Sequence, residues 1–243
     1  DEDRPGVAMK IINPENSVQI VQKALAVCPE LKVIGIAGPG DSLVTDNALQ
    51  AFALLQKADF GLMFCLSTNG LLLADKAEAL AAVGVKSLTV TVNAVQPEIQ
   101  QKICGEVFYD GVRYTGYAAA EKLIERQRAG IKKAAALGMV IKINVVLIPG
   151  INDEHIETIA ETVKEWGASL INIIPLIPQF RLKDIPAPGC EHLQKARQTA
   201  EKHLQVFRHC SHCRADAVGV PGASEYRAEI FEEQADNSNF SHG

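Results

Sequence analysis

Two patterns of hydrophobic and polar positions alternate along most of this chain. Short apolar runs rich in β-branched residues predict strands, at 31–37, 61–67, 87–93, 140–146 and 170–175. Between them, apolar residues that recur every three or four positions predict helices, at 14–26, 46–57, 74–82, 118–137, 153–166 and 191–207. Strands that alternate with helices are typical of a parallel sheet with helices packed against it. We therefore expect an α/β fold, either open and doubly wound or curled into a complete or partial barrel.

Two of the predicted strands carry polar side chains on one face. Thr89, Thr91 and Asn93 share a face of the third strand, and Lys142 and Asn144 share a face of the fourth. The opposite faces are apolar and suit packing against helices. Because unpaired polar groups in a closed interior are costly, we expect a polar ligand beside these side chains. Mutual hydrogen bonding or filling by water is the alternative.

Glycines and polar residues follow the carboxyl ends of four predicted strands, the end at which α/β proteins bind ligands. These segments are 38–41, 67–70, Asn93 and 149–153. Gly38 and Gly40 leave backbone groups open to a ligand, and Asp41 is suited to accept hydrogen bonds from a cationic amine. A ligand with an amine, a carboxylate and a ribose fits these groups, although each segment by itself is also ordinary turn chemistry.

Charge and hydropathy exclude two classes of partner. The 24 basic and 29 acidic residues give a net charge of −5, which argues against nucleic acid. No apolar run approaches the roughly 20 residues that cross a bilayer, and the first ten residues lack the apolar stretch of a signal peptide. We therefore expect a cytoplasmic protein without a membrane partner.

Six cysteines are too few for a disulfide scaffold in a chain of 243 residues. Cys210 and Cys213 form a C-x-x-C pair, which suits half of a metal or cluster site or a redox dithiol. Cys104 lies within 94–116, the longest departure from the strand and helix alternation. The other cysteines have no ligand-like neighbours, and for His155 at a helix start a solvated or capping role is expected.

Five motifs in order along the chain resemble the radical SAM family that matures the nitrogenase cofactor. They are Glu2-x-Arg4-Pro5-Gly6, Ala37-Gly38-Pro39-Gly40-Asp41, Thr89-x-Thr91-x-Asn93, Lys142-x-Asn144 with Ile148-Pro149-Gly150-Ile151-Asn152-Asp153, and Cys210-x-x-Cys213-Arg214-Ala215-Asp216-Ala217. The resemblance implies a partial (βα)6 barrel with parallel strands, of which five are visible here. It places the barrel and the C-x-x-C pair in 1–220 and a tail in 221–243. It also places the first strand and the family's C-x-x-x-C-x-x-C motif upstream of Asp1.

The activity implied by the resemblance is a lyase-type maturase that fuses two [4Fe-4S] clusters. It inserts a carbide from the methyl group of S-adenosylmethionine (SAM) and forms an eight-iron precursor of the nitrogenase cofactor. A third [4Fe-4S] cluster, with ligands upstream of this chain, cleaves SAM to a 5′-deoxyadenosyl radical. The implied partners are an iron-sulfur cluster donor, an electron donor and scaffold or carrier proteins of the nitrogenase cofactor.

The resemblance also assigns residues to ligands. Gly38, Gly40 and Asp41 match positions that meet the SAM amino group. The residues matched to its methionine and ribose parts are Ser67, Asn69, Asn93 and Asn144, with Lys142 nearby. Cys210 and Cys213 match ligands of one substrate cluster and Cys104 of the other, while Glu2 is matched to proton transfer or positioning near the radical site.

Two other functions remain open at this point. Lys142, as a strand lysine in a desolvated pocket, suits a Schiff-base lyase or aldolase. The C-x-x-C pair alone suits a non-enzymatic carrier of iron-sulfur clusters or zinc.

Overall fold

The computed structural model describes residues 12–38 and 40–208 and five further positions after them. Those five are Val218, Gly219, Ser224, Tyr226 and Ile230. The chain divides into two compact units. The first comprises residues up to 68, 78–88 and those after 208, and the second comprises 69–77 and 89–208.

Eight strands form in the described residues. They are β1 (Val33–Ile36), β2 (Met63–Thr68), β3 (Val85–Thr91), β4 (Glu106–Tyr109), β5 (Val112–Thr115), β6 (Val140–Leu147), β7 (Leu170–Pro175) and β8 (Gln205–Val206). Six belong to one sheet, with the order β1-β2-β3-β6-β7-β8, and β4 and β5 form a separate antiparallel pair. The pairs β1 with β2, β6 with β7 and β7 with β8 are parallel. The predicted parallel α/β fold is confirmed.

Seven α-helices connect the strands within the described part of the chain. They are α1 (Ser17–Val27), α2 (Asn47–Ala58), α3 (Leu73–Ala82), α4 (Pro97–Ile103), α5 (Gly116–Ala136), α6 (Ile156–Glu165) and α7 (Cys190–Glu201). Three short 3-10 turns lie at Pro14–Asn16, Asp153–His155 and Phe180–Leu182. Helix α6 shows why the periodicity was informative: its buried residues, Ile156, Ile159, Ala160 and Val163, form one apolar stripe.

In the second unit, the two faces of β6 differ as the sequence predicts. Ile141, Ile143, Val145 and Leu147 are fully buried, whereas the residues between them, Lys142 among them, are only half-buried. Strand β7 pairs with β6 in register, so that Asn172 lies opposite Asn144. The carboxyl half of β6 therefore places polar side chains of two neighbouring strands side by side.

In the first unit, the core lies between helices and the β1–β2 pair. The rings of Phe52 in α2 and Phe64 in β2 stack with centroids 5.1 Å apart. A second buried cluster joins Ala24 of α1 to Val218 and Ile230. Burial of these apolar side chains stabilises the unit that carries the loop after β1.

The segment 94–116 departs from the strand and helix alternation, as predicted, and contains α4 and the β4–β5 hairpin. Two sequence predictions were wrong. The helix expected at 191–207 ends at Glu201, and 205–206 form β8. The sheet therefore has six strands in the described residues, one more than the sequence pattern shows. A strand of two residues is too short to show a period, so tertiary pairing with β7 decides it.

Candidate functional site

In the first unit, the carboxylate of Asp41 is fixed by two neighbours. Its Oδ1 accepts a hydrogen bond from the Leu43 backbone N–H at 3.0 Å. The Thr68 hydroxyl, at the end of β2, donates to Oδ2 at 2.9 Å and to Oδ1 at 3.1 Å. Asp41 follows β1, so these contacts tie the carboxyl ends of two parallel strands together. A carboxylate held in one orientation is well suited to receive a cationic amine.

The glycines before Asp41 are required by the backbone of this loop. Gly38 and Gly40 have φ angles of 122° and 70°, which side chains with a Cβ rarely adopt. Ser67 is half-buried next to Thr68 in β2. The four predicted residues of the first unit that the structure describes therefore lie at or just after the carboxyl ends of β1 and β2.

In the second unit, the segment that follows β2 is held by a buried glutamine that the sequence analysis missed. Gln127 of α5 is 2% exposed. Its Nε2 donates to the backbone oxygens of Asn69 at 2.8 Å and Thr91 at 2.9 Å. Asn69 itself is exposed, and its Oδ1 accepts from the Leu71 N–H at 2.8 Å. Gln127 thus sets the position of the Asn69 backbone and of the end of β3.

Asn93 is fixed by Asn152, which belongs to the segment 149–153. Its Oδ1 accepts from the Val146 N–H at 2.9 Å. Asn152, fully buried, donates through Nδ2 to the backbone oxygens of Asn93 and Val146, both at 2.9 Å, and accepts from the Ile148 N–H at 2.8 Å. Its amide therefore joins the segment after β3 to the end of β6.

Lys142 and Asn144 occupy the half-buried face of β6. The Lys142 Nζ lies 4.9 Å from the centroid of the Phe207 ring, a cation-π contact. The Asn144 Oδ1 accepts from the Asn172 Nδ2 at 2.8 Å. Asn172, missed by the sequence analysis, is 2% exposed, and its own Oδ1 has no hydrogen-bond partner. This face of the sheet therefore presents a cation and an amide pair next to each other.

His155 does not have the solvated or capping role expected for it. It is 5% exposed, and its Nε2 accepts a hydrogen bond from the Val95 N–H at 3.2 Å. Burial lowers the pKa of the imidazole below its ordinary value. A neutral His155 therefore holds the start of the segment between β3 and α4.

Cys104 ends α4 within a largely apolar cluster. It packs with Val107, Ala119 and Leu123, and its thiol donates to the Glu106 backbone oxygen at 3.3 Å. Burial raises the pKa of this thiol, while the nearby Arg181 guanidinium acts in the opposite direction. Among the described residues, no three His, Cys, Asp or Glu side chains are grouped to hold a metal ion. Glu2, Cys210 and Cys213 lie outside the described residues.

Comparison with known proteins decides the family. Residues 4–163 match the Radical SAM superfamily. The chain is also 44% identical to the FeMo cofactor biosynthesis protein NifB of Methanocaldococcus infernus over 238 residues, which are 98% of this chain and 78% of that protein. The chain belongs to the NifB family of radical SAM proteins. NifB of Methanocaldococcus jannaschii is likewise 44% identical, over 96% of this chain and 77% of its own length. NifB of Klebsiella pneumoniae is 39% identical to this chain, over 95% of this chain and 50% of that longer protein.

Solved structures confirm the fold class. A radical SAM methyltransferase from Sphaerobacter thermophilus superposes with a TM-score of 0.61 at 18% identity, over 82% of this chain and 58% of that one. SuiB of Streptococcus suis bound to S-adenosylmethionine superposes with a TM-score of 0.55 at 14% identity, over 82% of this chain and 44% of that one. These similarities support the partial (βα)6 barrel type of fold.

Membership of this family establishes the general function of the chain. The chain is a radical SAM enzyme of nitrogenase cofactor biosynthesis, and its cofactors are SAM and [4Fe-4S] clusters. This outcome favours the radical SAM interpretation over a Schiff-base enzyme built on Lys142. None of the helices in the described ranges has the length and apolar character needed to cross a membrane.

Proposed function

We propose that the chain is the maturase that fuses two [4Fe-4S] clusters and inserts a SAM-derived carbide, forming the eight-iron precursor of the nitrogenase cofactor. The reaction is of the lyase type. The observation that carries the proposal is the 44% identity to a NifB protein over 98% of this chain. When bound to a reduced cluster, SAM supplies a carbon-centred radical and a transferable methyl carbon.

The described residues fit SAM as a ligand. In the first unit, the Asp41 carboxylate is oriented by Thr68 and Leu43 to accept hydrogen bonds from the amino group. Gly38 and Gly40 leave the backbone beside it open, and Ser67 offers a hydroxyl. In the second unit, Asn69, Asn93, Lys142 and Asn144 are the proposed contacts of the methionine and ribose parts.

Thiols supply the proposed ligands of the substrate clusters. Thiolates prefer iron-sulfur clusters to hard cations, and we assign Cys104 to one substrate cluster and Cys210 and Cys213 to the other. The apolar residues around Cys104 limit the access of water to its sulfur. Glu2 is proposed to transfer a proton or position SAM near the radical site.

The proposed partners follow from the chemistry. Clusters must be delivered, electrons must be supplied to the radical cluster, and a large anionic product must be removed. An iron-sulfur cluster donor, an electron donor and a scaffold or carrier of the nitrogenase cofactor meet these needs.

Anaerobic reconstitution of the full-length protein tests the proposal. We expect about twelve iron atoms per chain, four for each of three clusters, and SAM binding that Asp41→Ala abolishes. Asp184→Ala removes an exposed carboxylate elsewhere and serves as the matched control. Metal binding without any affinity for SAM in calorimetry would instead identify a carrier and contradict the proposal.

A further inference from the structure

Asn144 and Asn172 lie on neighbouring strands, and the buried side-chain oxygen of Asn172 is not explained by the stability of the fold. Asn172 of β7 and Asn144 of β6 are register partners, and the Asn172 Nδ2 donates to the Asn144 Oδ1 at 2.8 Å. The Asn172 Oδ1 is buried without a hydrogen-bond partner. A buried amide oxygen without a partner is a net cost to the folded state, and an apolar residue of similar size avoids it. The asparagine at this position therefore needs a reason other than stability.

The hydrogen bond between the two side chains determines which way the Asn144 amide faces. An amide accepts only through its oxygen and donates only through its NH2 group. Because the Asn144 oxygen points toward Asn172, the NH2 group on the other side of the amide is the part of Asn144 that faces a ligand. Asn144 is half-buried, whereas Asn172 is almost wholly inaccessible, so Asn144 is the member of the pair that a ligand reaches.

The neighbouring Lys142 adds a second hydrogen-bond donor to this face of β6. Lys142 precedes Asn144 by two residues on the same face, and its ammonium group can donate hydrogen bonds but not accept them. Contact of the Lys142 Nζ with the Phe207 ring restricts that group. Two donors side by side suit a ligand group that accepts hydrogen bonds.

We propose that Asn172 is a positioning residue for SAM binding: it turns the Asn144 amide so that its NH2 group donates to an acceptor oxygen of SAM. This inference rests on the proposed binding of SAM by Asn144. The acceptor is a carboxylate oxygen or a ribose hydroxyl oxygen, since both supply the same chemistry. Asn172 has no contact with SAM and acts through Asn144.

Substitutions at position 172 separate this role from a structural one. Asn172→Leu keeps the branched shape of the side chain and removes the orphaned oxygen. We expect a folded protein with only a small change in melting temperature, because the larger leucine offsets part of the gain from removing the oxygen. SAM affinity should be about tenfold weaker. Asn172→Asp keeps the size but accepts hydrogen bonds only. It draws the Asn144 NH2 group toward itself and turns the Asn144 oxygen to the ligand, so affinity falls as well.

The experiment is calorimetric titration of the full-length, cluster-loaded protein with SAM. Asn144→Ala weakens SAM binding. When Asn172→Leu is added to Asn144→Ala, the affinity for SAM falls by less than a further factor of two, because the two residues act as one unit. Gln100→Leu is the matched control: Gln100 is also buried with an unpartnered side-chain oxygen, and its replacement leaves SAM affinity unchanged.

Comparison with decarboxylated SAM then identifies the acceptor. If the carboxylate is the acceptor, Asn172→Leu abolishes the preference for SAM over decarboxylated SAM. If the Asn172→Leu protein keeps that preference, the acceptor is the ribose.

Three results would overturn the inference. If the Asn172→Leu protein binds SAM within twofold of the wild-type affinity, Asn172 does not position Asn144. If the losses of SAM affinity in the two single variants are equal and add up in the double variant, the effect is a general structural one. An Asn144→Ala protein with full affinity would remove the residue through which Asn172 acts. If wild-type protein with its clusters fails to bind SAM, the proposed function itself is wrong. Should Asn172→Leu fail to fold, Asn172→Asp carries the same comparison.

Discussion

Replacement of Thr68 by valine tests how the loop after β1 is held. The Thr68 side chain is 5% exposed, and its hydroxyl is 2.9 Å and 3.1 Å from the two carboxylate oxygens of Asp41. Valine has nearly the same shape, so Thr68→Val removes the hydrogen bond and creates little new space. Asp41 then keeps the hydrogen bond from the Leu43 N–H but loses the tie between the ends of β1 and β2.

The expected loss follows from the type of hydrogen bond. A hydroxyl has one proton, so the two short distances count as a single shared bond to a charged acceptor. Bonds to charged groups contribute about 1.5–3 kcal/mol, and burial of Thr68 keeps solvent from replacing this one. We expect the free energy of unfolding to fall by about 2 kcal/mol. In a chain of this length, that change lowers the melting temperature by about 4–8 °C.

Thermal unfolding followed by circular dichroism measures this change. Thr115→Val is the matched control, because Thr115 is exposed and its side chain makes no capping hydrogen bond. It should change the free energy of unfolding by no more than about 0.5 kcal/mol. If Thr68→Val melts at the same temperature as Thr115→Val, the Asp41 carboxylate is not held by the hydroxyl. Weaker SAM binding by Thr68→Val would further link the orientation of Asp41 to the ligand.

Three more predictions concern close packing and pH. Gly70→Ala strains a φ of 87° and places a Cβ 2.9 Å from the Gln127 Cγ, so we expect a loss of about 2–4 kcal/mol in urea unfolding. Gly150→Ala, with open space around the Cβ, should lose only about 1 kcal/mol. Gly130→Ala gains about 1 kcal/mol of helix propensity, but its Cβ would lie 2.9 Å from a backbone nitrogen of α3, which cannot move as a side chain can. We expect a net loss of about 1 kcal/mol by the same assay, and a net gain would refute this ranking. Burial lowers the folded-state pKa of His155, so its contribution to stability is lost as pH falls below the ordinary value of about 6.5. Between pH 7.5 and pH 5, wild type should therefore lose more stability than His155→Gln, and equal losses would contradict the assignment.

The predicted strands and helices follow from local pattern, because each buried face repeats with the period of its own element. The hairpin was missed although Asp110-Gly111 is a strong turn signal. Both residues have positive φ angles, 50° and 75°, as a tight two-residue turn between paired strands requires. Strand alternation in 106–115 is too short to stand out beside the longer repeats.

The polar residues that position the site were harder to foresee. Gln127, Asn152 and Asn172 bind backbone or side-chain atoms that are 58, 59 and 28 residues away in sequence. Gln127 and Asn172 lie in a helix and a strand, where a polar residue normally faces solvent, and Asn152 lies in a segment of ordinary turn composition. Nothing local therefore shows that any of the three is buried. Only the fold shows that they are buried. By contrast, the location of Asp41 and its glycines in a loop after a strand could be predicted, because such a loop has a recognisable local composition.

Transfer of an isotopically labelled methyl carbon tests the central claim most directly. The full-length protein, with its clusters and a reductant, is incubated anaerobically with SAM labelled at the methyl group. Iron-sulfur product is then extracted and separated from small molecules. Carbide insertion predicts that the label appears in the iron-sulfur product, that 5′-deoxyadenosine accumulates, and that Asp41→Ala removes both. Label that remains entirely in SAM, in methylated protein or in small molecules, with no label in the iron-sulfur product, would contradict the account.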